Sequence, residues 1–220
     1  MSFIITSETE LSRITAPSLP LATPQYSQQY IDQLNNVLRL YFNRLDNLLA
    51  QLQTSSGGAG IRLPYGAFSS DQDQTTTANT ATLMTLNTTD FANGVSIASS
   101  QITVVNAGIY NLQFSTQFQN TDNAIQDISI WLKQNGTDIP GSTGFVSIPA
   151  RKSASPGEEA HEIIGWNYYL SMNANDYVEI YWSTTLASVT IQAYPTSTGP
   201  VRPSTQSVVA TLSFVSALPT

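Results

Sequence analysis

The sequence predicts a mainly β protein: a β-sandwich or jelly roll, preceded by one α-helix and an extended N-terminal arm. Three observations predict it. From Ile61 onward, apolar residues recur with a period of two and are interrupted by Gly, Asn, Asp and Pro. Between Ile31 and Leu52 the apolar steps alternate three and four, the spacing of one helix face. Ahead of that stretch, Pro17, Pro20 and Pro24 fall close together. Proline removes a backbone donor and biases the residue before it away from helix.

Residues 1–24 therefore read as an extended arm. Phe3, Ile4, Ile5, Leu11, Ile14, Leu19 and Leu21 are too few to form a core of their own. They are side chains that an arm can bury in the grooves of a partner. The start, "MSFIITSETELSR", has no basic stretch and only a scrap of apolar run, so it does not read as a secretory signal.

Residues 25–54 read as a stalk helix. Ser27 is the expected N-cap. Tyr30 stands where a capping box needs Glu or Gln, so the box is absent. "TSSGGAG" (Thr54 to Gly60) ends the helix with flexible backbone, and 55–63 reads as a Gly-rich linker. In heptad terms Ile31, Leu38, Leu45 and Leu52 occupy a, and Leu34, Tyr41 and Leu48 occupy d. A 3.5-residue period predicts a left-handed supercoil with partner helices. Val37, Phe42 and Leu49 flank the seam at g and e. That widens the apolar stripe and favours three or more strands. The alternative is a helix packed on its own β domain, which ordinarily shows a 3.6-residue stripe.

Residues 64–220 read as the head. Tyr110, Leu112, Phe114, Thr116 and Phe118 alternate onto one face of a strand. Ile128, Ile130 and Leu132 do the same, followed by Asn135-Gly136, a hairpin signal. Ile164, Trp166, Tyr168, Leu170 and Met172 form a longer run. "NAND" (Asn173 to Asp176) turns the chain, and Val178, Ile180 and Trp182 come back. Val189 and Ile191, then Val208, Ala210, Leu212 and Phe214, complete the set, with Val95, Ile97, Ile102 and Val104 earlier. This amounts to roughly eight to ten short strands, each sheet with one buried side.

Composition excludes several functions. Charged residues make up 10% of the 220, net charge is −7, and Lys plus Arg number only 8. Such a chain is a poor binder of nucleic-acid phosphates, and it lacks the basic amphipathic face of a membrane-surface helix. With no cysteine there is neither a disulfide frame nor a thiolate site. No apolar run reaches the ~18 residues of a membrane span.

Catalysis has little to stand on. The single histidine, His161, lies in "GEEAHEI" and would need a serine and an acid from elsewhere to form a triad. No nucleophile elbow, phosphate loop or zinc motif is present. Glu158, Glu159, His161 and Glu162 could hold a metal, but they read more simply as a solvated loop after Arg151-Lys152. Asp71 and Asp73 in "SSDQDQ" could offer oxygens to calcium, but read more simply as a polar turn. Trp131, Trp166 and Trp182 sit in strand patterns, where packing outweighs sugar stacking. The expectation is a non-enzyme with no cofactor and no metal.

Four segments carry a resemblance. "AGIYNLQFSTQF", "ISIWLKQNGTDI", "WNYYLSMNANDYVEIYW" and "SVVATLSFV" resemble the globular heads of complement and tumour-necrosis-factor-like proteins, over roughly Tyr65 to Leu218. The whole chain is similar to structural proteins of tailed phages. The resemblance implies a ten-strand jelly roll that forms homotrimers. It implies a virion protein, made in the host cytoplasm: a fibre, knob or head-decoration protein whose arm docks on major capsid or tail proteins. The alternative it leaves open is a receptor-binding tip for a bacterial-surface glycan. Heads of this fold bind very different partners, so the likeness assigns no ligand site.

Overall fold

The computed structural model describes residues 15–22, 24–53, 63–155 and 157–219, with backbone alone for 51–53. The chain divides into two compact units, Met1–Arg62 and Leu63–Thr220.

Among the described residues of the first unit, regular structure begins at Gln28. The helix α1 spans Gln28–Gln53. Ser27 caps it as expected: its Oγ accepts from the Tyr30 amide at 3.3 Å, and its carbonyl accepts from the Ile31 amide. The cap satisfies one of the donors that the first turn leaves without a partner. The expected Gly-rich linker lies almost wholly outside the described residues.

The second unit is all β. Its strands are β1 (Tyr65–Ser70), β2 (Thr82–Leu83), β3 (Thr88–Asn93), β4 (Val95–Ala98), β5 (Gln101–Val104), β6 (Gly108–Asn120), β7 (Gln126–Gln134), β8 (Thr137–Asp138), β9 (Gly144–Ile148), β10 (Ala160–Met172), β11 (Tyr177–Thr184), β12 (Val189–Ile191), β13 (Ser197–Thr198), β14 (Val201–Arg202) and β15 (Val208–Ser216). One sheet runs β10-β6-β15-β1-β3, with β12 also on β6. The other runs β4-β5-β11-β7-β8, with β2 on β11 and β9 on β7. The ladders between named strands are antiparallel. Four of the pairings nest: β1 with β15, β5 with β11, β6 with β10, β7 with β9.

Alternation puts one face of each sheet into a common core. Tyr110, Leu112, Phe114 and Phe118 of β6 join Leu170 and Met172 of β10 and Leu212 of β15. Facing them are Ile128, Ile130 and Leu132 of β7 with Val178, Ile180 and Trp182 of β11. The strands expected from the period-two runs are these, together with β4, β5 and β12. Three more were not foreseen. Five of the six β1 residues are buried, but Gly66, Ala67, Ser69 and Ser70 are too small or polar to show a stripe beside Phe68. Every residue of β3 but its last is exposed, as suits an edge strand. β9 carries only Phe145, Val146 and Ile148 as large apolar groups. The remaining excess over eight to ten strands is two-residue ladders.

The hairpin signal holds. Asn135 and Gly136 both have positive φ, 52° and 76°, the type I′ geometry that matches strand twist. They join β7 to β8 with Gln134 opposite Thr137. Asp176 braces this turn from the next one. Its carboxylate accepts from Asn135 Nδ2 at 2.7 Å, Gln134 Nε2 at 3.0 Å and the Asn173 amide at 2.7 Å. Partial desolvation works against the charge, but these hydrogen bonds more than offset it and hold the carboxyl below its ordinary value of 3.8. A lowered carboxyl stabilises the fold when ionised. Its contribution is therefore complete above the ordinary value and is lost as pH falls through the lowered one. We expect the thermal transition of Asp176→Asn to lie below that of the parent at neutral pH. The gap should close in a pH series taken from about 5 down to about 2. A gap independent of pH would show that the charge contributes nothing.

Candidate functional site

The stalk seam comes first. Leu34, Leu38, Tyr41, Leu45 and Leu48 share one face of α1, each half-buried, and Ile31 is exposed. Of the flanking residues, Val37 is half-buried while Phe42 and Leu49 are exposed. No described side chain of α1 is buried. The side chain of Leu52 lies outside the described residues. α1 thus carries an apolar stripe that the described chain leaves partly in water. Of the arm residues, Leu19 and Leu21 are exposed. Phe3, Ile4, Ile5, Leu11 and Ile14 lie outside the described residues.

A second surface is the outward side of the β10-β6-β15 sheet. Ile163, Tyr169, Val209 and Val215 are exposed there. Between them sit small and amide side chains. Gly165, Ser115 and Val209 lie in register across the three strands, as do Asn167, Gln113 and Thr211. These residues line a shallow depression of 490 Å³. Asn111 Nδ2 donates to Asn167 Oδ1 at 2.6 Å across β6 and β10.

The tryptophans divide. Trp182 is fully buried and meets Phe118 edge-on, with ring centroids 5.6 Å apart. Trp166 stacks on Phe114 and lies so close over Gly144 that a Cβ there would sit 1.4 Å from its ring. Trp131 stacks on Tyr181 and donates its indole N–H to Asp138. Lys133 lies 4.5 Å over the Tyr181 ring and 3.5 Å from the Asp138 carboxylate. That cluster lines a hollow of 400 Å³, but its polar groups are engaged with one another.

His161, on β10, meets a tyrosine. Its Nδ1 lies 3.1 Å from the Tyr194 hydroxyl, and the two rings meet edge to face. Burial, then the charges of Asp73 and Glu159, raise the Tyr194 hydroxyl above its ordinary 10.0, so it stays protonated at neutral pH. Arg202 lies over the same ring, 5.9 Å from its centroid. Glu158 and Glu162 are exposed and Glu159 is half-buried. Backbone hydrogen bonds at Glu159 itself and from Gly157 lower the Glu159 carboxyl. Among the described residues no three acidic or histidine side chains gather closely enough to hold a metal ion.

Tyr194 also lines a groove of 560 Å³ with Asp71, Asp73, Pro195, Ser204 and Gln206. Asp71 accepts from Asn87 Nδ2 at 2.7 Å, and Asp73 from the Ala193 amide at 2.9 Å. The acidic turn read from "SSDQDQ" is thus one wall of a groove. Sequence reasoning missed the groove and the His161–Tyr194–Arg202 cluster. Its walls come from segments some 120 positions apart, and no local pattern joins them. No helix among the described residues is long and apolar enough to cross a membrane. A scan against family models and a search of curated proteins find no match for the chain.

Proposed function

We propose that the chain is a non-enzymatic structural protein of a bacteriophage virion. In this reading it is a homotrimeric fibre, knob or head-decoration protein. Residues 1–24 dock on capsid or tail proteins, and a complement- and tumour-necrosis-factor-like jelly roll forms the outward head. The observation that carries the self-association is the α1 seam. Leu34, Leu38, Tyr41, Leu45 and Leu48 follow a heptad on one face, and none is buried. An apolar stripe of that kind gains by closing on copies of itself. The nested pairing of β1 with β15, β5 with β11, β6 with β10 and β7 with β9 supports a jelly roll, since it is the order that a folded-over hairpin of strands produces. The outward side of β10-β6-β15, with apolar groups set among amides and hydroxyls, is the surface on which heads would meet.

Light scattering coupled to size exclusion is expected to give three times 23.8 kDa. A monomer at micromolar concentration overturns the reading. Three heptads are short for a coil that must assemble by itself, so the head is expected to hold the trimer. A chain beginning at Gly60 should remain trimeric, and a peptide of residues 25–56 should be mostly unstructured. Leu38→Asp should unravel the stalk and leave the head's thermal transition nearly unchanged.

A further inference from the structure

We propose that the groove beside Tyr194 binds a neutral saccharide. The inference goes beyond the particle-attachment reading and does not rest on it. The groove opens where β1 ends.

Its walls are held in place before any ligand arrives. Gln74 and Ile191 exchange both backbone hydrogen bonds, at 2.8 and 2.9 Å, and Tyr194 and Thr205 do the same, at 3.1 and 2.8 Å. Asp73 is a positioning residue. It accepts from the Ala193 amide. The Gln192 amide, oriented as its neighbours require, donates to both Asp73 oxygens at 3.2 and 3.1 Å. A ligand docking between such pinned segments loses little to ordering them.

What the groove offers is polyol chemistry. Asp71 is exposed, and its one hydrogen bond, from Asn87, falls on Oδ1. Oδ2 is left free to accept from a sugar hydroxyl, and a charged acceptor makes the stronger bond. Gln206 and Ser204, both exposed, can donate as well as accept. The Tyr194 hydroxyl is engaged by His161, so its contribution is the part of the ring that Arg202, 5.9 Å from its centroid, and His161 leave open to the groove. An aromatic face beside a few fixed polar groups suits a pyranose, which has an apolar C–H face and a polar rim. Charge narrows the class. Asp71 and Asp73 flank the groove, and the whole chain is net negative. An anionic sugar or a phosphate would meet like charge.

Affinity electrophoresis of the full chain tests this, with dextran, mannan, galactomannan and soluble chitin oligomers as neutral probes and alginate as the anionic control. At least one neutral glycan is expected to retard the protein, and alginate is not. Asp71→Asn and Tyr194→Ala should each weaken retardation at least tenfold, while Tyr194→Phe, which keeps the ring, should retain it. Gln206→Ala, at an exposed position, provides a second probe of the groove should Tyr194→Ala fail to fold. Four outcomes overturn the proposal: no neutral glycan binds; alginate alone binds; calcium chloride alone changes the mobility; or the Asp71 and Gln206 variants bind like the parent.

Discussion

Trp182→Ala is expected to lower the stability of the head by about 3–5 kcal/mol, the usual cost of emptying an aromatic site in a core. The side chain is fully buried on β11 and meets Phe118 of the opposite sheet edge-on. It is the largest of the fully buried side chains, so its loss leaves the largest cavity. Marginal stability makes that a large fraction of the whole. The thermal transition should fall by roughly 10 °C or more. Trp182→Phe should cost much less. The indole Nε1 is buried and has no hydrogen-bond partner, so the smaller ring removes an unsatisfied donor along with some volume. Equal losses from Ala and Phe would show that the cavity is not what matters. Calorimetry on the two variants checks the order.

Removal of residues 1–24 is expected to abolish attachment to the particle. The motive is the proline-rich sequence of residues 1–24, whose apolar side chains are too few to form a core of their own. Leu19 and Leu21 are 50% and 92% exposed. A chain made stiff by proline loses less entropy on docking. In the proposed trimer, three arms on one stalk would multiply a weak attachment into a durable one. α1, 26 residues long, gives about 39 Å of spacer. Particles stripped of the protein, or made without it, should recapture the full chain but not a chain beginning at Gln25. Equal recapture would move the anchor to the head and reverse the proposed orientation.

How much was legible depends on the residue. The inward faces of β6, β7, β10 and β11 were readable because large apolar side chains alternate, as at Tyr110, Leu112, Phe114 and Phe118, with Thr116 the one polar residue in that run. α1 was readable from Ser27 and from the 3.5-residue seam. The Asn135-Gly136 turn was readable because few other dipeptides adopt two positive φ angles in succession. β1 was not, although it lies between β15 and β3 inside its sheet. Gly66, Ala67, Ser69 and Ser70 are buried by what packs over them rather than by their own hydrophobicity. Asp71, Asp73 and His161 were each weighed as metal ligands. Their partners turned out to be Asn87, the Ala193 amide and Tyr194, all distant in sequence.

The sequence by itself determined the class: a helix with an apolar stripe, a β-rich body and the positions of its principal turns. These are local properties, set by side-chain period and by what each backbone unit can adopt. Only the tertiary structure decided which strands become neighbours, which acidic residues end in a groove and which aromatic ring lies beside them. Those outcomes depend on the nested antiparallel pairing, in which β1 meets β15 and Asp73 meets Ala193. The pairing is chosen by burial of both sheets together, a sum over the whole head that no single window of sequence contains.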